Sequence, residues 1–321
     1  MNRRIGLALA SGGARGAYQA GALLAMAERG ITFQSVAGTS IGSLNGAFYC
    51  QGDGSVGHME DLCRLWRETP EAGLIAVDAQ SIGFSLLKMF VQTELPTFTK
   101  WAGRLSGRRA HLCDPRPVEA FLKKWIRFDD VVASEREFYI AMLPSLSTGL
   151  DADPLLEAIL GPWLEATYIR ASALSPEELK NALLAAAAIP LAFPSQEIKG
   201  RKYSDAAMRD PLPSGVLKEA GCDWICSIFL SDAHIQNRAD YPGATLLQVR
   251  PSEVIDPNLM SMLDFSRESV DRLINLGYSN ACDVLKEAQD FMDLIIELKV
   301  SGTRLEGMTE GLHAKPKLTP W

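Results

Sequence analysis

The strongest constraint on the fold is a serine between two glycines, where an apolar segment gives way to small residues. Ile31 to Ala37 suits a short buried strand, and Gly38-Thr39-Ser40-Ile41-Gly42 has the pattern Gly-x-Ser-x-Gly. The residues that follow suit a closely packed helix. The glycines leave room for a sharp turn, which would expose the Ser40 hydroxyl above a helix N-terminus. Ser40 is therefore a candidate nucleophile; the alternative is a turn without chemistry.

A second glycine-rich loop precedes this turn in the chain. Ile5 to Ala10 suits a buried strand and runs into Ser11-Gly12-Gly13-Ala14-Arg15-Gly16, and Ala17 to Arg29 then forms a predicted helix. With the Ser40 segment this gives a β-α-β unit. The carboxyl ends of parallel strands meet at one edge of a sheet, so the two loops are predicted to be neighbours.

The glycine loop has two competing uses. A loop without side chains can turn several backbone N–H groups toward one point beside Ser40 and form an oxyanion hole, with Gly12, Gly13, Ala14 and Arg15 as candidate residues. Glycines at a helix N-terminus also bind phosphates or dinucleotides. That fingerprint would need glycine at position 11, where the chain has serine, and the sequence has no Gly-Lys-Ser/Thr motif. The pattern favours an oxyanion hole.

Both loops resemble motifs of the patatin-like phospholipase family. The resemblance continues downstream: Ala185 to Pro194 resembles the stretch before that family's catalytic aspartate, Ser204-Asp205-Ala206-Ala207 follows, and Arg209 to Pro213 matches the proline-containing continuation. The chain has Ser11 and Ala206 where the family usually has glycines. The resemblance implies a three-layer α/β/α patatin-like fold with a central, mostly parallel sheet.

The resemblance also implies a serine lipid acyl hydrolase that works with a Ser-Asp dyad. Asp205 would take the proton of Ser40, Ser40 would attack an ester carbonyl, and a covalent acyl-enzyme would form. A carboxyl group with the ordinary pKa of about 3.9 is a poor base for serine, so burial has to raise its pKa or proximity has to compensate. If position 206 needs glycine-like backbone geometry, alanine there would cost about 1 kcal/mol or more.

Two other functions stay open. A Ser-Asp-His triad of the α/β-hydrolase kind is available through Ser40, Asp205 and His234, although the nucleophile would come unusually early for that fold. The remaining histidines, His58, His111 and His313, lie in no recognisable motif. The departures at Ser11 and Ala206 favour a third hypothesis, a weakly active lipid-binding or scaffold protein.

Composition limits the partners. The chain carries 39 acidic and 32 basic residues, a formal charge of -7, which disfavours nucleic acid and broad attraction to anionic membranes. We expect a phospholipid or another acyl-ester lipid as substrate, with transient apolar contact at a membrane surface. The six cysteines have no metal-ligand spacing and are expected to be reduced thiols. No metal or cofactor is expected, and activity is predicted to be calcium-independent.

The organisation along the chain is predicted as follows. The apolar run from Ile5 to Ala10 is shorter than a signal peptide needs, and no stretch has the roughly 18 apolar residues that span a bilayer. Both observations favour a cytoplasmic protein; the alternative is a protein bound peripherally at the membrane. Residues 1–300 form one domain with a sheet of five or six strands. Within it, residues 70–115 form a lid or inserted helices, and 301–321 form a tail. An apolar stripe from Val270 to Leu285 is predicted to pack in the core or to form an oligomer seam.

Overall fold

The computed structural model of the 321-residue chain describes residues 3–72, 116–145, 164–189, 193–231, 236–253, 255 and 262–313, with backbone only at 70–72 and 291–313. The predicted lid or insertion at 70–115 therefore lies outside the described residues, apart from the helix ends at 70–72. The strands are β1 (Ile5–Leu9), β2 (Ser35–Thr39), β3 (Glu137–Pro144), β4 (Thr167–Arg170), β5 (Gln196–Ile198), β6 (Arg201–Asp205), β7 (Trp224–Ile228) and β8 (Thr245–Val249).

Eight α-helices lie within the described residues. They are α1 (Gly16–Glu28), α2 (Ile41–Cys50), α3 (Val56–Ala72), α4 (Arg116–Trp125), α5 (Phe128–Val132), α6 (Pro176–Ala186), α7 (Ser214–Glu219) and α8 (Arg267–His313), with single 3-10 turns at Gly13–Arg15, Ala171–Ala173 and Arg238–Asp240. Helix α6 begins as its sequence predicts, because Ser175 and Glu178 form a reciprocal capping box and Pro176 occupies the first helical position.

The sheet is parallel at its centre and antiparallel at one side. Its strand order is β5-β6-β3-β2-β1-β7-β8, and the pairs from β3 through β8 along this order are parallel. Strand β6 pairs with β3 in the antiparallel sense, as β5 does with β6. The β-α-β unit and the mostly parallel sheet are thus confirmed.

The predicted number of strands was wrong. Within the described residues the sheet has eight strands rather than five or six, and the strand that the sequence did not indicate is β4. Its four residues, Thr-Tyr-Ile-Arg, are partly exposed and show no clean apolar alternation, so period-two patterning gave no signal. Strand β4 pairs antiparallel with β3 along the edge that β6 also uses.

Alternating residues on β1 and β2 build the layers. Leu7, Leu9 and Val36 point into the large core formed with α1, α2 and the other principal helices, whereas Ala8 and Ala37 point into a smaller cluster with Val216 and Leu217 of α7 and neighbouring residues. Because successive side chains of a strand face opposite sides, both faces of the sheet are covered. This is the predicted three-layer α/β/α arrangement.

Helices α1 and α8 pack with their backbones in contact. A Cβ atom at Gly21 would lie 1.9 Å from the carbonyl oxygen of Ile274, and one at Gly277 would lie 2.0 Å from that of Tyr18. The apolar stripe of α8 is buried in this contact, with Val270 and Leu273 at most 1% exposed. The core-packing interpretation of the stripe from Val270 to Leu285 is confirmed.

Helix α8 is longer than the sequence suggested. It ends at His313, so the boundary expected near Val300 falls within a helix, and the assignment of 301–321 as a tail stays a prediction. Polarity alone does not end a helix, and the first proline after Val300 is Pro316. Among the described residues, no helix combines the length and apolar character that crossing a bilayer requires.

Gly21→Ala is predicted to lower the free energy of unfolding by about 1–3 kcal/mol, because the new methyl group meets a backbone carbonyl that cannot rotate away. Gly57→Ala in α3 is the matched control, since its Cβ would meet nothing within 4 Å, and it should leave stability unchanged or slightly raised. Urea denaturation followed by circular dichroism measures both. Equal stability of the two variants would contradict the close contact between α1 and α8.

Candidate active site

Ser40 lies on a strained turn between β2 and α2. Its φ of 54° and ψ of −124° are rare for a residue with a side chain, and Ser40 occupies the N-cap position of α2. The turn is held by Ser43, whose N–H donates to the Ser40 carbonyl and whose Oγ donates to the Gly38 carbonyl, each at 2.8 Å. This is the predicted strand-turn-helix geometry.

The two glycines of the motif are needed for space. A Cβ at Gly38 would lie 2.4 Å from the carbonyl oxygen of Gly42, and a Cβ at Gly42 would lie 2.3 Å from that of Leu9 at the end of β1. Both contacts are far shorter than van der Waals distance. The turn at Ser40 thus fits closely against the strand that leads into the glycine loop, as the parallel arrangement predicted.

The glycine loop lies beside Ser40 and carries the candidate oxyanion donors. Gly13 has a left-handed φ of 59°, and Gly13 and Ser40 line the same cavity. In the described part of the chain, the turns and loops leave the N–H groups of Gly12, Gly13 and Ala14 without a backbone acceptor. The N–H of Arg15 already donates to the Gly12 carbonyl at 3.2 Å, and the Arg15 side chain is buried. Gly12, Gly13 and Ala14 therefore remain the candidate donors among the four.

A buried polar network fixes the two loops relative to each other, and no sequence motif indicates it. Asn45 of α2 donates to the Gly16 carbonyl at 3.0 Å and to Gln19 at 2.8 Å, and it accepts from the indole N–H of Trp66 at 3.0 Å. Gln19 in turn donates to the Ala10 carbonyl at 2.8 Å. Every polar group of Asn45 is satisfied within the protein, so this network orients the loops.

Asp205 reaches the site on an antiparallel strand. Strand β3 extends past the level of β2: Thr39 pairs with Ala141, and Asp205 pairs with the next residue, Met142. Strand β6 thus enters from beyond the carboxyl edge and ends where the turn at Ser40 begins. The two backbones lie about two strand spacings apart, roughly 10 Å, which serine and aspartate side chains can span.

The pKa of the Asp205 carboxyl group is strongly raised. Burial raises the pKa of its carboxyl group to about 7, and hydrogen bonding from the Ser40 hydroxyl and the Ala207 N–H partly offsets that effect. The Ala207 N–H donates to Oδ1 at 2.8 Å. Oδ2 is buried and forms no hydrogen bond of regular geometry with the described residues, so the contact with Ser40 is loose. Catalytic hydrogen bonds are commonly long in enzymes without substrate.

Ala206 fits its position without backbone strain. Among the described residues other than glycine, only Ser40 and Lys199 have a positive φ, and Ala206 is fully buried against Ala141 and Leu143. The condition for a cost of about 1 kcal/mol at this position is not met, because the backbone here does not need a left-handed conformation. Ser11 also lacks a positive φ and donates its N–H to the Pro211 carbonyl at 2.8 Å.

An apolar cavity opens from Ser40 between α2, α3 and α4. Ser40 and Asn45, whose amide is satisfied within the protein, also line it. The walls are formed by aliphatic and aromatic side chains, namely Ile41, Leu44, Phe48, Leu62, Leu65, Trp66, Val118, Phe121, Leu122, Trp125, Ile126, Ala187, Ile189, Phe193 and Phe265. The segment 70–115, predicted as a lid or inserted helices, lies outside the described side chains, so its relation to this cavity stays a prediction.

The histidines offer no base for Ser40 among the described side chains. His58 is half-buried behind the cavity wall, stacked on Phe48 with ring centroids 5.0 Å apart, and its Nδ1 accepts from the Gly54 N–H. Burial lowers the pKa of His58. His111 and His234 lie outside the described residues, and His313 is described by its backbone alone. The triad hypothesis with His234 is therefore left as a prediction.

Comparison with known proteins decides the family. The model of the patatin-like phospholipase family matches residues 7–217, which is most of the described sheet and both loops of the site. The chain belongs to the patatin-like phospholipase family. The matched region begins within β1 and ends within α7, so it contains Ser40 and Asp205.

Two curated relatives match short segments of the chain. Lysophospholipase nte1 of Aspergillus terreus is 49% identical over 49 residues, and patatin-like phospholipase domain-containing protein ZK370.4 of Caenorhabditis elegans is 55% identical over 47 residues. Each match covers 15% of this chain, and the chain spans only 3% and 4%, respectively, of these relatives' lengths.

Two solved structures align over most of the chain. VipD from Legionella pneumophila aligns with 89% of this chain and 67% of its own, with a TM-score of 0.45 and 11% identity. Human GIVD cytosolic phospholipase A2, solved with methyl gamma-linolenyl fluorophosphonate, aligns with 90% of this chain and 60% of its own, with a TM-score of 0.40 and 15% identity.

Asp205→Asn is predicted to stabilise the protein above pH 7. Since burial raises the folded-state pKa of Asp205, the folded state binds more protons than the unfolded state between about pH 4 and pH 7, and stability is lost as the pH rises through that window. Asparagine carries no such cost. The expected gain at pH 8 is on the order of 1–4 kcal/mol, falling toward zero near pH 4. Denaturant unfolding at both pH values measures it, and a pH-independent difference would contradict the shifted pKa.

Proposed function

We propose that this protein hydrolyses acyl esters of lipids, with Ser40 as nucleophile and Asp205 as its base. The observation that carries the proposal is a buried carboxyl group, with a pKa of about 7, in contact with a serine on a strained turn. A base with that pKa is substantially ionised at neutral pH and still holds a proton strongly enough to take one from serine. Few structural roles would require an aspartate to be buried without regular hydrogen bonds to one oxygen.

The reaction runs in two halves. In the first, Asp205 accepts the proton of Ser40 while Oγ attacks the ester carbonyl, and the amides of Gly12, Gly13 and Ala14 stabilise the negative oxygen. Collapse of this intermediate releases the alcohol, which takes the proton from Asp205, and leaves an acyl-Ser40 ester. In the second half Asp205 takes a proton from water, the resulting hydroxide displaces Ser40, and the proton returns to the serine oxygen.

The cavity supports an acyl chain as the group recognised next to Ser40. Its walls offer hydrocarbon contact, and the one side-chain amide that lines it is occupied by internal hydrogen bonds. A phosphate or sugar bound there would lose its hydration without compensation. Phospholipids and lysophospholipids are therefore the proposed substrates, in line with the name of the Aspergillus relative. Transient contact with a membrane surface, where such lipids reside, is part of the proposal.

Two other functions make different predictions. A Ser40-Asp205-His234 triad would need His234 for turnover, so His234→Ala would be inactive. A lipid-binding or scaffold protein would bind lipid without turnover. The unstrained backbone at Ala206 and Ser11 removes the structural reason for expecting weak activity, which favours an enzyme.

Ser40→Ala is predicted to reduce ester hydrolysis by at least about 10³-fold and to abolish labelling by a fluorophosphonate probe, because the variant lacks the hydroxyl proposed to form the acyl-enzyme. Ser227→Ala is the matched control: its buried hydroxyl on β7 has no hydrogen-bond partner among the described residues, and its removal should change neither rate nor labelling. The assay uses lysophospholipid turnover by the folded variants. Wild-type turnover that survives in Ser40→Ala would refute the assignment, and a folded wild type that neither labels nor turns over would favour lipid binding.

The rate is predicted to follow the ionisation of Asp205. For an ester that does not itself ionise, kcat/KM should rise tenfold per pH unit below about pH 7 and level off above it, whereas an ordinary aspartate would give a flat profile above pH 5. Because a histidine base would give a similar curve, the variants decide between them. His234→Ala should retain the activity, and its loss in that variant would support the triad. Asp205→Asn should lose the activity under either scheme, so its retention would refute both.

A further inference from the structure

Behind the proposed dyad, on the opposite face of the sheet, three residues lie side by side. Thr39 of β2 pairs with Ala141 of β3, and Ala141 pairs with Tyr168 of β4. Directly paired residues point to the same face. Asp205 pairs with Met142, one residue further along β3, and therefore belongs to the other face. The row of Thr39, Ala141 and Tyr168 thus lies behind the site, on the face opposite to Asp205.

Asp210 bridges this row. Its backbone carbonyl accepts a hydrogen bond from Oγ1 of Thr39 at 2.8 Å, and its carboxylate accepts one from the hydroxyl of Tyr168 at 2.5 Å. The small side chain of Ala141 lies between these two partners in the row. Thr39 is fully buried, and burial together with the charge of Asp210 raises the pKa of Tyr168, so the tyrosine remains a donor.

The same loop connects all three parts of the site. The N–H of Asp210 donates to the carbonyl of Ala206, the residue after Asp205, at 2.9 Å. Thr39 immediately precedes Ser40. The next residue, Pro211, accepts the Ser11 N–H at the start of the glycine loop, at 2.8 Å. A shift of Asp210 would move the base relative to the nucleophile and to the amide donors.

We propose that Thr39 and Tyr168 are positioning residues that hold Asp210 and thereby fix the distance between Ser40 and Asp205. The inference rests on the proposed function, because it concerns the geometry of that dyad. It explains how a base on an antiparallel strand is aligned with a nucleophile two strands away, although the direct contact between them is loose. Misplacement of a catalytic group by about 1 Å can cost on the order of a hundredfold in rate.

The test measures kcat and KM of full-length variants on a lysophospholipid. Thr39→Val keeps the shape and removes the donor, Thr39→Ser keeps the donor, and Tyr168→Phe removes the second donor. We expect Thr39→Val and Tyr168→Phe to lower kcat by about ten- to hundredfold with KM within about twofold, since the acyl cavity is on the other face. Thr39→Ser should keep kcat within about threefold of wild type. In the double variant the losses should not multiply, because both act through Asp210.

Tyr139→Phe is the matched control. Tyr139 lies on the same strand and face as Ala141, and its hydroxyl also donates to a carboxylate, that of Glu137 at 3.2 Å, but not to the loop that follows Asp205. It should leave kcat unchanged. Two results would overturn the positioning role, provided that wild-type turnover depends on Ser40. In the first, Thr39→Val and Tyr168→Phe both keep kcat within about twofold of wild type. In the second, kcat falls equally in Thr39→Val, Tyr168→Phe and the control Tyr139→Phe. If the wild type shows no Ser40-dependent turnover, the proposed function is rejected, and this inference with it.

Discussion

The proposed chemistry depends on the burial of the Asp205 carboxyl group, which is unfavourable for the stability of the fold. Raising a carboxyl pKa to about 7 corresponds to a cost on the order of 4 kcal/mol for the ionised form, a large part of the net stability of a typical domain. Such a cost is tolerated because the surrounding sheet is closely packed and covered on both faces. The strained conformation of Ser40 adds to it, and both costs are concentrated at the two residues proposed to react.

Close packing gives this site its geometry. The turn at Ser40 can approach β1 only because Gly38 and Gly42 lack side chains, and Gly13 meets a backbone carbonyl at residue 262 where a Cβ would stand. Helix α1, which follows the glycine loop, is held against α8 by glycines on both helices. Since none of these contacts can expand without separating backbones, the loops around Ser40 have little freedom to drift. The site is therefore preorganised by sterics as much as by hydrogen bonds.

The sequence predicted the local parts of this site well and its long-range connections poorly. The two loops, the strands before them and the capped helix α6 have strong local signals, in glycine spacing, apolar runs and the Ser-Pro-Glu-Glu motif. Strand β4 and the end of α8 had weak signals, and both were missed. The antiparallel approach of β6, the bridge from Asp210 to Thr39 and Tyr168, and the Asn45 network join residues as far as 171 positions apart, and no local pattern encodes such pairings.

The most direct test of the account is the titration of Asp205 itself. With aspartate labelled by ¹³C at the side-chain carboxyl carbon, the signal that disappears in Asp205→Asn can be followed by NMR from pH 4 to pH 9 in the free protein. The account predicts a midpoint near pH 7, because burial raises the pKa of this group. A midpoint near pH 4, the value of a solvated aspartate, would contradict it and remove the proposed base for Ser40.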